Sequence, residues 1–240
     1  MSFIITLNVR EGIVMASDSR LTLSIQRQVN QQSIHNIAVG MSDSNYKTFL
    51  TKNKIGISTF GAAEIDGIPI AGYIESFINN QCEDNDTVDE IAQKILGHFR
   101  TFNPIPTIQY HVAGYKIENG EKKQHIWNVN VENNNKNRIN IDNPGAAWGG
   151  ESDILVRLVA NVGTIDENGE LQDVLPRFPI PYRFFTLQDA IDFAIFAVRS
   201  TIDVIRFQPR PKTVGGPIDV LVIKPNEAFW VKRKQLTCRQ

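Results

Sequence analysis

Residues 2–20, SFIITLNVREGIVMASDSR, decide how the chain is read. Phe3, Ile4, Ile5, Thr6, Leu7 and Val9 form an apolar, β-branched run that begins at the third residue. The run breaks at Arg10-Glu11-Gly12 and resumes as Ile13-Val14-Met15-Ala16. That pattern predicts a β-hairpin whose first strand holds the start of the chain in a sheet. Most domains begin with a few loose residues. A start tied down at once points to tidy packing or to a terminus with a chemical role.

The bulk composition narrows the classes. A chain of 240 residues fits one large domain or two small ones, and 42% apolar with 21% charged residues is ordinary for a globular protein. The formal net charge of −1 gives no reason to expect a nucleic-acid or membrane partner. Cys82 and Cys238 lack C-x-x-C spacing, which predicts neither a disulfide framework nor a zinc site and suits a reducing compartment. His35, His98, His111 and His125 show no metal-binding spacing, so neither metal nor cofactor is expected. Arg10 and Glu11 interrupt the only early apolar run, so no signal peptide is expected and a cytoplasmic location is.

Working outward from the hairpin, residues 23–45 are polar and rich in Gln and Asn. Two short strands are expected over Tyr46–Thr51 and Ile55–Phe60, followed by helical spacing of Ile70, Tyr73, Ile74, Phe77 and Ile78. Thr87 and Glu90 form a capping box ahead of Ile91, Ile95, Leu96 and Phe99. An antiparallel meander is expected over TIQYHVAGYKI, HIWNVNV and RINI, with turns at ENGEKK and ENNNKN. DILVRLVANV reads as a helix, and Thr186 with Asp189 caps another; IDVLVIKP and EAFWVKR close the chain as a strand pair. IIT, IVMAS and IDVLVI have continuous apolar runs and should be central strands covered on both faces. The order predicts a layered α/β sandwich in a single domain spanning residues 1–240, without linker or repeat.

Four segments carry a resemblance: the opening strand, GIVMASDSRLT, KTFLTKNKIGISTFGAAE and VGGPIDVLVI. Together they resemble the proteasome β-subunit and HslV branch of the N-terminal nucleophile (Ntn) hydrolases. The resemblance implies a four-layer αββα sandwich whose mature first residue is the nucleophile. It carries the aspartate of A-x-D-S-R onto Asp18, with Arg20 beside it, and the family lysine onto Lys47. The oxyanion glycine falls on Gly61. Counting sixteen positions back from Asp18 reaches Ser2, and Lys47 to Gly61 is fourteen positions, the family separations in both cases.

The implied chemistry is coherent. A serine hydroxyl needs a base, and an N-terminal serine brings its own α-amine, whose ordinary pKa of about 7.7–8.0 lies near working pH. A nearby Lys47 ammonium would stabilise the alkoxide, Asp18 would fix that ammonium, and the Gly61 N–H would donate to the developing oxyanion. All of this requires removal of Met1, which a small second residue permits. Serine after methionine is common and a strand lysine is usually solvated, so each residue gains weight only from the joint spacing.

There are departures. The segment between Arg20 and Lys47 is longer than in typical β-subunits, leaving Lys52 and Lys54 as alternatives to Lys47. The family G-S-G appears as Gly149-Gly150-Glu151-Ser152, so its serine is replaced by Gly149 or its role passes to Ser152. Asp203 stands in for the family's late aspartate, and serine replaces the usual threonine. By resemblance, Leu21, Thr22, Asn45, Thr59 and Ala63 would line the substrate pocket. The expected function is a self-compartmentalising peptidase acting on peptide or protein substrates in a homo-oligomeric ring, with any ATPase partner unidentified. Two alternatives stand beside it: an inactive ring or scaffold subunit, and an amidase or acyl-transfer enzyme for a dedicated substrate.

Overall fold

The opening hairpin forms where the alternation places it. Strands β1 (Phe3–Val9) and β2 (Gly12–Ser17) pair antiparallel with Ile5 opposite Ala16, and every residue of both is buried. The computed structural model describes residues 2–30, 33–160, 163–172 and 178–236. Met1 and Cys238 lie outside them, as do the last two residues of the expected helix 153–162.

After the first hairpin come β3 (Leu21–Asn30) and β4 (Ser33–Ser42), which pair with each other. Next are β5 (Thr48–Leu50), β6 (Gly56–Gly61) and the two-residue strands β7 (Glu64–Ile65) and β8 (Ile68–Pro69). Helices α1 (Ile70–Gln81) and α2 (Val88–Phe99) follow, then β9 (Ile108–Glu118), β10 (Glu121–Asn130), β11 (Asn135–Arg138) and β12 (Gly145–Gly150). The remainder is α3 (Asp153–Val159), β13 (Thr164–Ile165), β14 (Leu171–Gln172), α4 (Leu187–Phe207), β15 (Asp219–Ile223) and β16 (Ala228–Lys232). Two five-stranded antiparallel sheets result, in the orders β12-β1-β2-β15-β16 and β11-β10-β9-β6-β5. The fold is mixed α/β with four α-helices among the described residues.

Both capping boxes form. The Thr87 hydroxyl accepts from the Glu90 N–H while Glu90 accepts from the Thr87 N–H, and Thr186 and Asp189 do the same for α4. Three expectations shift. The 23–45 stretch becomes most of a hairpin, RINI gives way to a strand ending at Arg138, and Gly145–Gly150, read as a connection, is an edge strand beside β1. Lacking β-branched residues, GAAWGG carries no strand signal of its own; pairing with β1 imposes its conformation.

Strand alternation sorts the core. Phe3, Ile5 and Leu7 pack with Ala194 and Val198 of α4, whereas Ile57 and Val112 pack with Ile74 and Phe77 of α1 and Ile91 and Ile95 of α2. A third cluster joins side chains of both sheets: Ile13, Met15 and Leu221 from one, Ala113 and Ile126 from the other. Each buried Ile, Leu or Phe contributes about 1.5–3 kcal/mol, and these clusters offset the entropy of ordering the chain.

The core also buries polar side chains. Thr6 Oγ1 lies 3.0 Å from His111 Nδ1, linking β1 to β9 across the sheets. Burial holds the His111 imidazole down at about 4, against about 6.5 in an unfolded chain. Between those values the unfolded state binds the extra proton, so the fold keeps this contribution in full above about pH 6.5 and loses it as pH falls toward 4. Up to about 3 kcal/mol of stability should disappear over that window, and His111→Gln should flatten the slope in urea titrations run from pH 7 to 4. The Tyr110 hydroxyl is buried without a hydrogen-bond partner among the described residues. Tyr110→Phe should therefore raise stability by about 1 kcal/mol, seen as a higher urea midpoint at unchanged slope.

Candidate active site

The carboxylate of Asp18, fully buried at the turn after β2, gathers four donors. Its Oδ1 accepts from the Phe3 N–H at 3.0 Å and from Lys47 Nζ at 2.7 Å. Its Oδ2 accepts from the backbone N–H of Arg20 at 3.1 Å and of Gly215 at 3.0 Å. One oxygen thus ties the first residue of β1 to the buried ammonium, and the other ties the turn to the segment before β15.

Lys47 precedes β5, with its side chain 3% exposed, and its carbonyl accepts from the Thr59 N–H at 2.9 Å. Burial pulls the Lys47 ammonium below its ordinary value; Asp18 opposes that shift, and the charges of Lys234 and Arg20 add to it. Lys52 and Lys54 are exposed, and Lys54 Nζ donates to the Asn226 carbonyl at 2.8 Å, so neither reaches Asp18.

Ser2 is 7% exposed. Its carbonyl accepts from the Glu151 N–H at 2.8 Å, while the next amide, Phe3, is on Asp18. Gly150 makes this approach feasible: at φ +90° it adopts a conformation that other residues rarely take, and a Cβ there would occupy the position of the Ser2 carbonyl. Glu151 is held in turn by Arg210 Nη1 at 3.0 Å and by the Thr213 hydroxyl at 3.1 Å.

Gly61 ends β6 at φ +106°, and a Cβ there would run into the Thr107 carbonyl. Thr107 O in turn accepts from the Ala62 N–H at 2.9 Å. The supporting residues divide. Arg20 reaches Asp18 through its backbone, while its guanidinium forks onto Asp43 at 2.6 and 2.8 Å. Gly149 is buried opposite Ile4, where a Cβ would strike the Phe60 ring. Ser152 precedes α3 without a side-chain cap, and its N–H donates to the Gly150 carbonyl at 2.8 Å.

Asp203 is a correction. It sits exposed on α4, two positions from the buried Thr201 and two from the buried Ile205, so the helix turns it away from the sheets. Of the expected pocket residues, Thr22 and Thr59 are buried, and Leu21, Asn45 and Ala63 are half-buried. The Asn45 N–H donates to the Ser19 carbonyl at 3.2 Å, placing it against the same turn.

A second buried ion pair escaped sequence reading. Lys234 Nζ is bonded to Asp219 Oδ2 and donates to Ser19 Oγ at 2.9 Å, and the Lys234 N–H donates to Asp219 Oδ1 at 2.7 Å. Ser19 Oγ donates onward to the Pro217 carbonyl at 2.6 Å. The ammonium also lies 4.1 Å from the centroid of the Tyr46 ring. Burial lowers the Lys234 ammonium, and Asp219 opposes that shift. The pair therefore clamps the residue that follows Asp18. Lys234→Met, which strands a buried carboxylate, should cost about 3 kcal/mol in urea unfolding, and adding Asp219→Leu should recover most of it.

Burial also pushes the Cys82 thiol up to about 11. Among the described residues, no group of His, Cys, Asp or Glu is arranged to hold a metal ion, and no helix is long and apolar enough to cross a membrane.

No protein-family model matches the chain, and no curated protein matches it. Solved structures do. Anbu from Hyphomicrobium sp. strain MC1 is 14% identical at TM-score 0.55, covering 97% of this chain and 88% of that one. Anbu (ancestral beta-subunit) from Yersinia bercovieri gives the same four values: 14%, 0.55, 97% and 88%. The Anbu (Gly-1) mutant from the Hyphomicrobium strain is 13% identical at TM-score 0.54, covering 96% of this chain and 87% of that one. At these identities the likeness establishes the fold. It also corrects the family expected from the motifs: the proteasome β-subunit and HslV branch finds no support in the sequence comparisons, and the similar structures are Anbu proteins.

Proposed function

We propose that the chain is an N-terminal nucleophile hydrolase that cleaves peptide bonds through an acyl-enzyme on Ser2, once Met1 is removed. The observation carrying this reading is the shared Asp18 oxygen, which holds the Phe3 N–H and the Lys47 ammonium together beside Ser2. The likeness to Anbu, one of them described as an ancestral beta-subunit, supports a proteasome-like fold for it. In the same reading the whole chain is one domain. Its two sheets lie face to face between α1 with α2 and α3 with α4, in the four-layer arrangement that the three apolar clusters suit.

In the proposed reaction the free α-amine of Ser2 takes the hydroxyl proton as Oγ attacks the substrate carbonyl. Lys47 stabilises the alkoxide as an ammonium, and Asp18 opposes the loss of its proton that burial favours. Asp18 keeps that ammonium in place. The oxyanion accepts from the Gly61 N–H, a donor typically worth about 10²–10³ in rate. The amine then returns its proton to the leaving nitrogen, the C–N bond breaks, and water resolves the ester. A nucleophile as little exposed as Ser2 suits a homo-oligomeric ring that admits unfolded peptide.

An inactive scaffold is the second reading, favoured by Asp203 facing solvent and by the uncapped Ser152. Intact-mass analysis before and after an electrophilic peptide inhibitor separates the two. The hydrolase reading expects loss of the methionine mass and one adduct, which maps to Ser2 and is absent in Ser2→Ala. Lys47→Met should slow its formation by about 10²–10⁴-fold. Retained Met1 with no adduct overturns it in favour of the scaffold.

A further inference from the structure

An open cleft of about 870 Å³ lies away from Ser2, where residues 138–144 cross from one sheet to the other beside the β1–β2 turn. Its charged lining is Arg10, Lys123, Arg138 and Arg183 against Glu118 and Asp142. The excess of cations is larger than this count suggests. Glu118 Oε1 is already 2.9 Å from His125 Nε2 and 3.9 Å from Arg138 Nη1. Arg10 and Lys123 have no acidic partner among the described residues. Like charges brought together in a concave wall repel, and the surrounding low-dielectric surface focuses their field outward.

The neutral lining amides divide: Asn8 Nδ2 donates to the Asn143 carbonyl at 3.0 Å and Gln124 Nε2 to the Val9 carbonyl at 2.7 Å, which uses their donors. Asn143 Oδ1 accepts from Arg183 Nη2 at 3.0 Å, and Asn140 Oδ1 accepts from the Asp142 N–H at 2.8 Å. With both oxygens used, the two amide nitrogens remain as unpartnered donors among the described residues. The amides of the lining are thus balanced between donors and acceptors, and the surplus of cations over carboxylates decides the sign of the ligand. No aromatic side chain among the described residues lines it, so they offer no surface on which a nucleobase could stack.

We infer that this cleft is a binding site for a small, non-aromatic polyanion bearing phosphate or clustered carboxylate groups. Arg10 and Arg183 supply planar forks suited to such oxygens, and Lys123 adds a point charge to the same lining. The site is independent of Ser2 chemistry and requires no activity.

Isothermal titration of the full chain with pyrophosphate, orthophosphate and citrate tests it, at ionic strength matched with sodium chloride. Saturable binding of at least one of the three is expected, with a rise in melting temperature as ligand is added. Pyrophosphate or orthophosphate as the tightest ligand assigns a phosphate site, and citrate assigns a carboxylate site. Arg10→Ala with Lys123→Ala, both exposed and free of buried contacts, should weaken binding tenfold or more while leaving the unliganded melting temperature unchanged. No saturable heat with any of the three, or equal affinity in the double variant, overturns the inference. AMP should bind no more tightly than orthophosphate; tighter binding would also contradict the non-aromatic assignment.

Discussion

A single buried carboxylate organises this molecule. Asp18 holds no net surplus of donors or charge: two backbone N–H groups sit on one oxygen, and a third N–H shares the other with an ammonium. A buried carboxylate without such partners would be costly, and a buried ammonium equally so. Each therefore requires the other. Their pairing draws together four stretches distant in sequence: the chain start, the β2 turn, the strand entry at Lys47 and the glycines near residue 215. Both sheets are committed to that meeting, since Phe3 belongs to one and Lys47 leads into the other.

Around this centre the charges are layered outward. Lys234 and Asp219 form a second buried pair, joined to the first through Ser19, whose backbone is also bonded to Gly215 and Asn45. Arg20 and Asp43 form a third, half-exposed pair. Two further cations, Lys234 and Arg20, thus act on Lys47, and both weaken its hold on a proton. A site built this way has its turn conformation fixed in advance, and fixed dipoles and charges lose nothing to reorganisation when a reaction begins.

Much of this was legible because the signals were local. Capping boxes at Thr87 and Thr186 and the unbroken apolar runs of β1, β2 and β15 depend on neighbours a few residues apart. The contact between Asp18 and Lys47 joins two residues that spacing alone singles out. What escaped reading was non-local. Nothing near Lys234 hints at Ser19, 215 positions away. Gly145–Gly150 is a strand only because β1 offers an edge, and its two consecutive glycines admit the Phe60 ring on one side and the Ser2 carbonyl on the other. The orientation of Asp203 is also invisible in a match by sequence neighbourhood, because the helical turn exposes it while Thr201 faces the core. The motifs likewise suggested a family that whole-chain comparison does not support, whereas the backbone arrangement is shared with Anbu.

The central claim is that Ser2 and Lys47 form one chemical unit across the Asp18 oxygen. A crystal structure of the chain with Met1 removed measures it directly, through the separation of Ser2 Oγ from Lys47 Nζ. Hydrogen-bond reach, about 2.6–3.2 Å, is expected, with the new α-amine on the same side of the serine. A separation beyond about 6 Å, with the Asp18–Lys47 pair intact, would contradict it.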